Sequence, residues 1–298
     1  MPLAHILLAI LVSAIYGVAF VAIKFSVTEL PPLLVTGYRY VFAAFPLVFF
    51  VPAPKVPARL LIAYGLTQGV VMFGLIFSSI RLGMPPGLAS LVVQMQVFFT
   101  VLFAMLMFGE RPRRHEIAGA AVAIVGIGVI AFANAEITPF VPFLMVIGSA
   151  AAWGLANVLA KMAKTDAMLG FVGWSSLAAP IPLFLLSILF EDTAFGLPDH
   201  VPSITAVLSI AFLAYPTTVF NFAAWIFLLR SHAAATVTPF ALLIPVFGMS
   251  STALVFGESL SPTVWTGSAL VFLGLAINVF AGRFLRRRVS EKEASRTL

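Results

Sequence analysis

The sequence predicts an all-α polytopic membrane protein with ten transmembrane helices, arranged as two inverted repeats of five helices each. Composition, the spacing of apolar segments and an internal repeat lead to this prediction. Of the 298 residues, 61% are hydrophobic and only 9% are charged, and the mean hydropathy is +1.10. Soluble domains carry roughly a quarter charged residues, so the composition excludes a soluble fold and indicates that the bilayer is the solvent.

The apolar segments have the length that a membrane requires. A helix of about 20 apolar residues crosses about 30 Å of hydrocarbon, and such runs fill nearly the whole chain. The first run has no preceding Lys/Arg cluster and no A-x-A site after it, so we expect it to be retained and not cleaved as a signal peptide. The predicted spans are 3–25, 32–51, 58–80, 86–108, 114–133, 140–162, 168–190, 203–229, 233–256 and 262–284.

Loop charges predict that both termini are cytoplasmic. With the N-terminus inside, basic residues dominate the inner loops and the C-terminal tail, which is the bias of the positive-inside rule. The inner basic residues are Lys55, Arg59, Arg111, Arg113, Arg114, Lys161, Lys164, Arg230, Arg283, Arg286, Arg287 and Arg288. The outer loops hold Glu29, Glu136, Glu191, Asp192, Asp199 and Glu258, against Lys24 and Arg81. The net charge of +6 arises from this bias and gives no support to a nucleic-acid partner.

Two internal matches indicate a repeat. The segment IYGVAFVAIKF at 15–25 returns at 152–162 as AWGLANVLAKM, 137 residues further on, and FGE at 108–110 returns at 256–258, 148 residues further on. The matches fall in spans one and six and at the ends of spans four and nine, which are equivalent places. Since each half has an odd number of spans, the second half must be inverted relative to the first, as in many secondary transporters.

The predicted repeats cover residues 1–137 and 138–284, and a basic cytoplasmic tail follows at 285–298. An inverted repeat suits alternating access, in which one half rocks against the other around a central site.

The repeated motifs also resemble a known family. The aromatic-Gly…Lys pattern of spans one and six and the pairs Gly109-Glu110 and Gly257-Glu258 are similar to those of the drug/metabolite transporter superfamily, in particular its EamA-type ten-helix exporters. The resemblance covers essentially the whole chain, and the overall run of the sequence is most similar to the aromatic amino-acid exporter branch. The family usually has a proline thirteen residues before each glutamate, which this chain keeps as Pro245 but replaces with Val97 in span four.

The resemblance implies export of aromatic and other neutral amino acids, and of related metabolites, across the bacterial inner membrane. Three alternatives stay open: an exporter of organic cations or drugs, an exporter of another small metabolite, or a channel-like facilitator, because carriers and pores are lined by the same residue types.

Candidate substrate contacts lie on polar and aromatic helix faces, since polar groups inside a bilayer usually face a cavity or another helix. Span eight carries an aromatic and hydroxyl stripe at i, i+3 and i+7, spans one and six carry aromatic and amide residues at repeat-equivalent positions, and spans three and four supply amides. The predicted substrate-binding residues are Tyr16, Phe20, Gln68, Met72, Gln94, Gln96, Trp153, Asn157, Tyr215, Thr218 and Phe222.

The chemistry of this set suits a zwitterion or a flat organic cation, because amides hydrogen-bond carboxylate and ammonium groups and rings attract ammonium. The competing interpretation is that the amides join helices and the rings pack the core. Arg39, between Tyr38 and Tyr40, needs a partner inside the protein or at a water-filled entrance, and both a structural and a substrate role are open.

Other functional classes lack their motifs. The chain has no cysteine, no G-x-x-x-x-G-K-[ST] loop and no G-x-S-x-G, and His115-Glu116 has no second histidine four residues on. We therefore expect no enzyme, no ATP hydrolysis, no cofactor or metal, and no obligatory protein partner. The carboxylates fall in loops or near span ends, which favours facilitated export without a buried carboxylate relay.

Overall fold

The computed structural model describes residues 1–109, 114–133, 139–191, 193, 197–232, 237–258 and 261–277, and these residues form helices and connecting turns without strands. The helices are α1 (Leu3–Glu29), α2 (Pro32–Phe50), α3 (Ala58–Arg81), α4 (Pro86–Phe108), α5 (Arg114–Ala133), α6 (Phe140–Met162), α7 (Met168–Ser176 and Pro180–Phe190), α8 (Ile204–Ala214, Tyr215–Phe220 and Asn221–Ser231), α9 (Thr238–Leu242 and Leu243–Phe256) and α10 (Pro262–Ile277). The predicted tail at 285–298 and Glu110 lie outside the described residues.

Seven of these helices, α1–α4 and α6–α8, are long and apolar enough to cross a membrane. Shorter apolar helices lie within α5, α9 and α10, at Ile117–Ile130, Phe240–Phe256 and Pro262–Ile277. The all-helical class is confirmed, whereas the count of ten spans stays a prediction.

Four helices contain a segment of altered pitch. In α3 and α8 these segments are π-helical, at Leu66–Phe73 and Tyr215–Phe220, and in α4 and α9 they are 3-10 helical, at Val93–Met95 and Thr238–Leu242. Changes of pitch inside a helix are often found at functional sites or hinges.

Pro216 accounts for the π-helical segment in α8, because proline has no N–H to donate to the carbonyl four residues earlier. That carbonyl, of Phe212, instead accepts from the Thr217 hydroxyl at 3.1 Å, and the Leu213 carbonyl accepts from the Thr218 hydroxyl at 2.9 Å. Side-chain hydroxyls thus satisfy the backbone groups that the interruption leaves unpaired.

Glycines allow the closest helix contacts. A Cβ at Gly17 in α1 would lie 2.7 Å from the Gly248 nitrogen in α9, and a Cβ at Gly154 in α6 would lie 2.8 Å from the Thr100 nitrogen in α4. Small residues at such positions let two backbones approach, as is common between membrane helices.

Glycines also allow α5 and α10 to approach closely, since a Cβ at Gly126 would lie 2.7 Å from the Gly267 oxygen. Elsewhere α1 also packs against α8, α6 against α3, and α2 against α7. The main hydrophobic core draws its largest shares of buried residues from α1 and α4, with smaller and equal shares from α3, α6, α8 and α10.

Three glutamates cap helices at one end of the bundle, which we call the acidic end. Glu191 accepts from the backbone N–H of Leu33 at 2.8 Å and of Leu34 at 3.2 Å, at the start of α2. Glu258 accepts from the Gly87 N–H at 3.2 Å, at the start of α4. Glu29 accepts from the backbone and hydroxyl of the residue that caps α8, Ser203. A carboxylate at a helix N-terminus pairs with unsatisfied N–H groups and with the positive end of the dipole, so each contact holds two helices together.

Candidate functional site

A narrow cavity lies between α2, α3, α7 and α8. Its lining is mostly polar and aromatic, which is unusual inside a membrane bundle. The lining residues are Tyr40, Tyr64, Gly65, Gln68, Val172, Ser175, Ser176, Thr218 and Phe222. The cavity has room for about one water molecule, so an organic substrate requires it to widen.

Arg39 lies behind this wall, with only 2% of its surface exposed. Its Nε and Nη2 donate to the Thr218 hydroxyl oxygen at 3.3 and 3.2 Å, and its guanidinium carbon lies 3.8 Å from the centre of the Phe73 ring. The Tyr40 and Phe77 rings lie within 6 Å of the same carbon. Aromatic faces stabilise a cation, but they carry no counter-charge.

Tyrosines from α1 and α2 lie near this charge. The hydroxyls of Tyr16 and Tyr40 interact electrostatically with Arg39, and both also interact with Tyr64 of α3. The first three helices thus supply the cation and three tyrosines of the site.

Gln68 has a buried amide oxygen that accepts no hydrogen bond from the described residues. Its side chain is 6% exposed, it lines the cavity, and its Oε1 has no hydrogen-bond partner. An unpaired amide oxygen in a buried site costs roughly 1–3 kcal/mol, and a ligand that donates to it recovers that energy.

Of the eleven residues predicted to bind substrate, Gln68, Thr218 and Phe222 line the cavity. Met72 lies on the same π-helical segment as Gln68, is 3% exposed, and its carbonyl accepts from Ser149 at 2.9 Å. Tyr16 is close enough to interact with Arg39.

The other amides join helices. The Gln94 Nε2 donates to the Ala241 carbonyl at 3.1 Å, linking α4 to α9. Asn157 donates to Gln96 Oε1 at 2.8 Å and to Thr100 at 3.0 Å, linking α6 to α4. In these contacts the three amides serve as interhelical hydrogen bonds, which is the competing interpretation of the sequence pattern.

Three of the predicted aromatic residues, Phe20, Trp153 and Tyr215, do not line the cavity. Phe20 is 7% exposed and belongs to the main core, and Trp153 packs against the same core. Tyr215 is 44% exposed and does not line the cavity, although it stands at i−3 from Thr218. The π-helical segment explains the difference, because extra backbone in the turn breaks the 3.6-residue periodicity that would align the two side chains.

Several cavity residues were not identified from the sequence, namely Tyr40, Tyr64, Gly65, Val172, Ser175 and Ser176. Tyr40 had a detectable signal, since it is adjacent to the membrane-embedded Arg39. Ser175 and Ser176 stand together inside a long apolar span, which is a weaker signal of a polar face. Tyr64 lies near a span end, where an interfacial tyrosine is common.

Comparison with known proteins gives consistent matches over nearly the whole chain. The profile of the EamA-like transporter family matches residues 3–132 and again residues 141–280. A protein of Salmonella typhimurium described as "Probable amino-acid metabolite efflux pump" is 38% identical over 291 residues, covering 94% of this chain and 96% of the relative. The Escherichia coli protein of the same description is 37% identical over 284 residues, covering 93% and 95%.

A more distant relative, the uncharacterized transporter YoaV of Bacillus subtilis, is 25% identical over 289 residues, covering 93% of this chain and 97% of the relative. A crystal structure with 22% sequence identity covers 93% of this chain and 97% of its own, with a TM-score of 0.64, and shows a shared fold.

Proposed function

We propose that this chain, which belongs to the EamA-like transporter family, exports amino acids and their metabolites across the bacterial inner membrane. The observation that carries the proposal is the near-full-length similarity to two proteins described as probable amino-acid metabolite efflux pumps. The cavity supports it chemically, because hydroxyl, amide and aromatic groups suit a small molecule with both polar and apolar parts. Aromatic and other neutral amino acids are the proposed substrates.

The proposed architecture is ten spans in two inverted halves. Its strongest support is a pair of contacts: Gly17 meets Phe247 and Gly248, and Gly154 meets Phe99 and Thr100. Gly154 follows Gly17 by 137 residues, and the α9 pair follows the α4 pair by 148, which are the two spacings of the sequence repeat.

Helix packing supports the same pseudo-symmetry. The contact of α1 with α8 has its counterpart in α6 with α3, and the altered segments pair as π-helical in α3 and α8 and 3-10 helical in α4 and α9. The two family matches divide the chain at the same place as the proposed halves, between residues 132 and 141.

Transport is proposed to proceed by alternating access, with both termini in the cytoplasm and the acidic end facing outward. The glutamate caps then close the outer end in the conformation described here, and the altered segments of α3, α4, α8 and α9 are the places where the helices bend. We propose facilitated export, since three of the described carboxylates at the acidic end serve as helix caps and none lines the cavity.

The test is uptake of labelled phenylalanine, threonine and methionine into proteoliposomes of the purified chain. Saturable uptake that unlabelled amino acid loaded inside the liposomes accelerates by counterflow supports a carrier, whereas flux without saturation indicates a channel-like facilitator. Trp153→Ala tests the predicted aromatic contact, and Trp265→Ala, a change at a 58% exposed position, is the matched control. Absence of flux for all three amino acids, with flux of an organic cation, would refute the proposal.

A further inference from the structure

We propose that Arg39 binds the carboxylate of the substrate and that the Gln68 amide oxygen receives its amino group, so that the site recognises an α-amino acid as a zwitterion. The assignment rests on the proposed export of amino acids and deepens it, because it fixes which end of the substrate lies on which helix.

The first step is the unbalanced charge of Arg39. A guanidinium has five N–H donors, and the contacts of Arg39 place two of its nitrogens on a single oxygen, that of Thr218. Within the described part of the chain, no carboxylate lies at ion-pairing distance from Arg39. The charge is therefore buried among rings and a hydroxyl, with donors left over.

A charge in that position is expensive unless something compensates for it. Burying an unpaired ion costs more free energy than a desolvated cation–π contact returns. A carboxylate ligand supplies the missing counter-charge, and the planar fork of arginine matches the two oxygens of a carboxylate.

The second step is the position of Gln68. Its unpaired Oε1 and the Arg39-bound Thr218 line the same cavity, so a vacant acceptor borders this small space and a cationic donor lies one hydrogen bond behind its wall. An ammonium group has three N–H donors and no acceptor, and it fits the vacant amide oxygen. The Tyr40 and Tyr64 rings line the same space and offer aromatic faces to the ammonium.

The two groups together predict selectivity. A zwitterion meets a cation at one end and an acceptor at the other, whereas an organic cation without a carboxylate meets the positive charge of Arg39 with nothing to offset it. Esters, amides and decarboxylated amines are therefore expected to bind poorly, although they share the side chain of the amino acid.

The experiment measures equilibrium binding to the purified full chain in lipid nanodiscs. The probes are phenylalanine, threonine and methionine, the carboxamide of each, phenethylamine, and 3-phenylpropanoate, which has the carboxylate but no amino group. For the wild type we expect each amino acid to bind about 10- to 100-fold more tightly than its carboxamide, the range expected for a charge-assisted contact.

The variants separate the two ends of the substrate. In Arg39→Gln the advantage of the amino acid over its carboxamide is expected to disappear, and Arg39→Lys, which keeps the charge without the fork, is expected to retain part of it. In Gln68→Ala the advantage of phenylalanine over 3-phenylpropanoate is expected to fall instead. Arg59→Gln, which removes an exposed arginine of the same charge, is the control and is expected to bind like the wild type.

Two results would overturn the assignment, and they differ. If the wild type binds amino acids and their carboxamides equally, Arg39 does not bind the carboxylate. The proposed export of amino acids is then unaffected. If the wild type binds none of the three amino acids, the proposed function fails and the assignment fails with it. The comparison of ligands on the wild type needs no variant, so a poorly folding Arg39→Gln protein leaves the result intact.

Discussion

Thr218 fixes the orientation of the Arg39 guanidinium. Its oxygen accepts from Arg39 Nε and Nη2, while its own hydroxyl proton goes to the Leu213 carbonyl at 2.9 Å. One side chain thus joins Arg39, the charged group behind the cavity wall, to the backbone of α8. Thr218 is 3% exposed, so removal of its hydroxyl leaves the Arg39 donors buried without that acceptor.

Thr218→Val should therefore destabilise the protein by about 1.5–3 kcal/mol, the range for a buried hydrogen bond to a charged group. The volume is conserved, so the loss reports the hydroxyl and not a cavity. The apparent melting temperature of the purified protein measures it. Thr218→Ser should recover most of the stability, and Thr205→Val, at an exposed position of the same helix, should change little. Equal melting temperatures for Thr218→Val and the wild type would contradict a role in holding Arg39.

At this scale the sequence predicted residue types better than contacts. Gln68, Thr218 and Phe222 reach the cavity because polar and aromatic residues on a membrane helix tend to face the interior. Gln94 has the same character and joins two helices instead. The difference depends on which helix lies opposite each amide, and a single sequence holds no information on that.

At the scale of helices, Gly17 and Gly154 mark two close and equivalent approaches between the proposed halves. A Cβ at Gly17 would also lie 2.8 Å from the Ile244 oxygen, and one at Gly154 would lie 2.6 Å from Phe99 Cβ. Backbone atoms stand on the opposing side in both cases, so rotation of a side chain cannot relieve the clash.

Gly17→Ala and Gly154→Ala are each expected to cost about 1–3 kcal/mol, because the helices must move apart to admit the methyl group. Melting of the purified variants provides the measurement. Gly128→Ala is the control, since its Cβ would meet nothing within 4 Å, and we expect it to be neutral. If all three variants melt alike, the helix contacts described here are not those of the folded protein in the membrane.

The glutamate caps allow a second prediction for the helices. Glu191→Ala removes the acceptor for two backbone N–H groups at the start of α2 and should cost about 0.5–2 kcal/mol. Thermal melting again gives the magnitude. Asp199→Ala removes an exposed acidic residue near the same end and should leave the melting temperature unchanged. A similar loss in both variants would point to general charge at that end and not to capping.

The sequence predicted the limits of several helices more reliably than the backbone geometry inside them. The predicted limits of α2, α4 and α6 agree with the observed ones within a residue, because prolines begin these spans and apolar composition marks their length. The π-helical and 3-10 segments were not predicted. In α8 the sequence places Pro216 inside the span, which is compatible with several backbone geometries, and the pitch that forms depends on how the neighbouring carbonyls find donors.

For the whole molecule, the proposed orientation can be tested directly because the chain contains no cysteine. Val201→Cys places a thiol at a 91% exposed position near the acidic end, and Lys55→Cys places one in an exposed loop at the opposite end. In intact cells a membrane-impermeant maleimide should label the first and not the second, and lysis should expose the second. The reverse pattern would place the termini outside the cell and the acidic end on the cytoplasmic side.

The π-helical segment of α8 also has a consequence for how this protein can change by mutation. A π turn holds about one residue more than an α turn over the same length, so deletion of a single residue within Tyr215–Phe220 can convert it to ordinary helix. The extra residue is taken up inside the turn, so such a deletion leaves the helix beyond it, with Phe222, facing as it does now. Side chains inside the turn, such as Thr218, would instead change direction in one genetic event. Insertions and deletions at this turn, and not only substitutions, are thus a route by which relatives of this chain can acquire a different substrate.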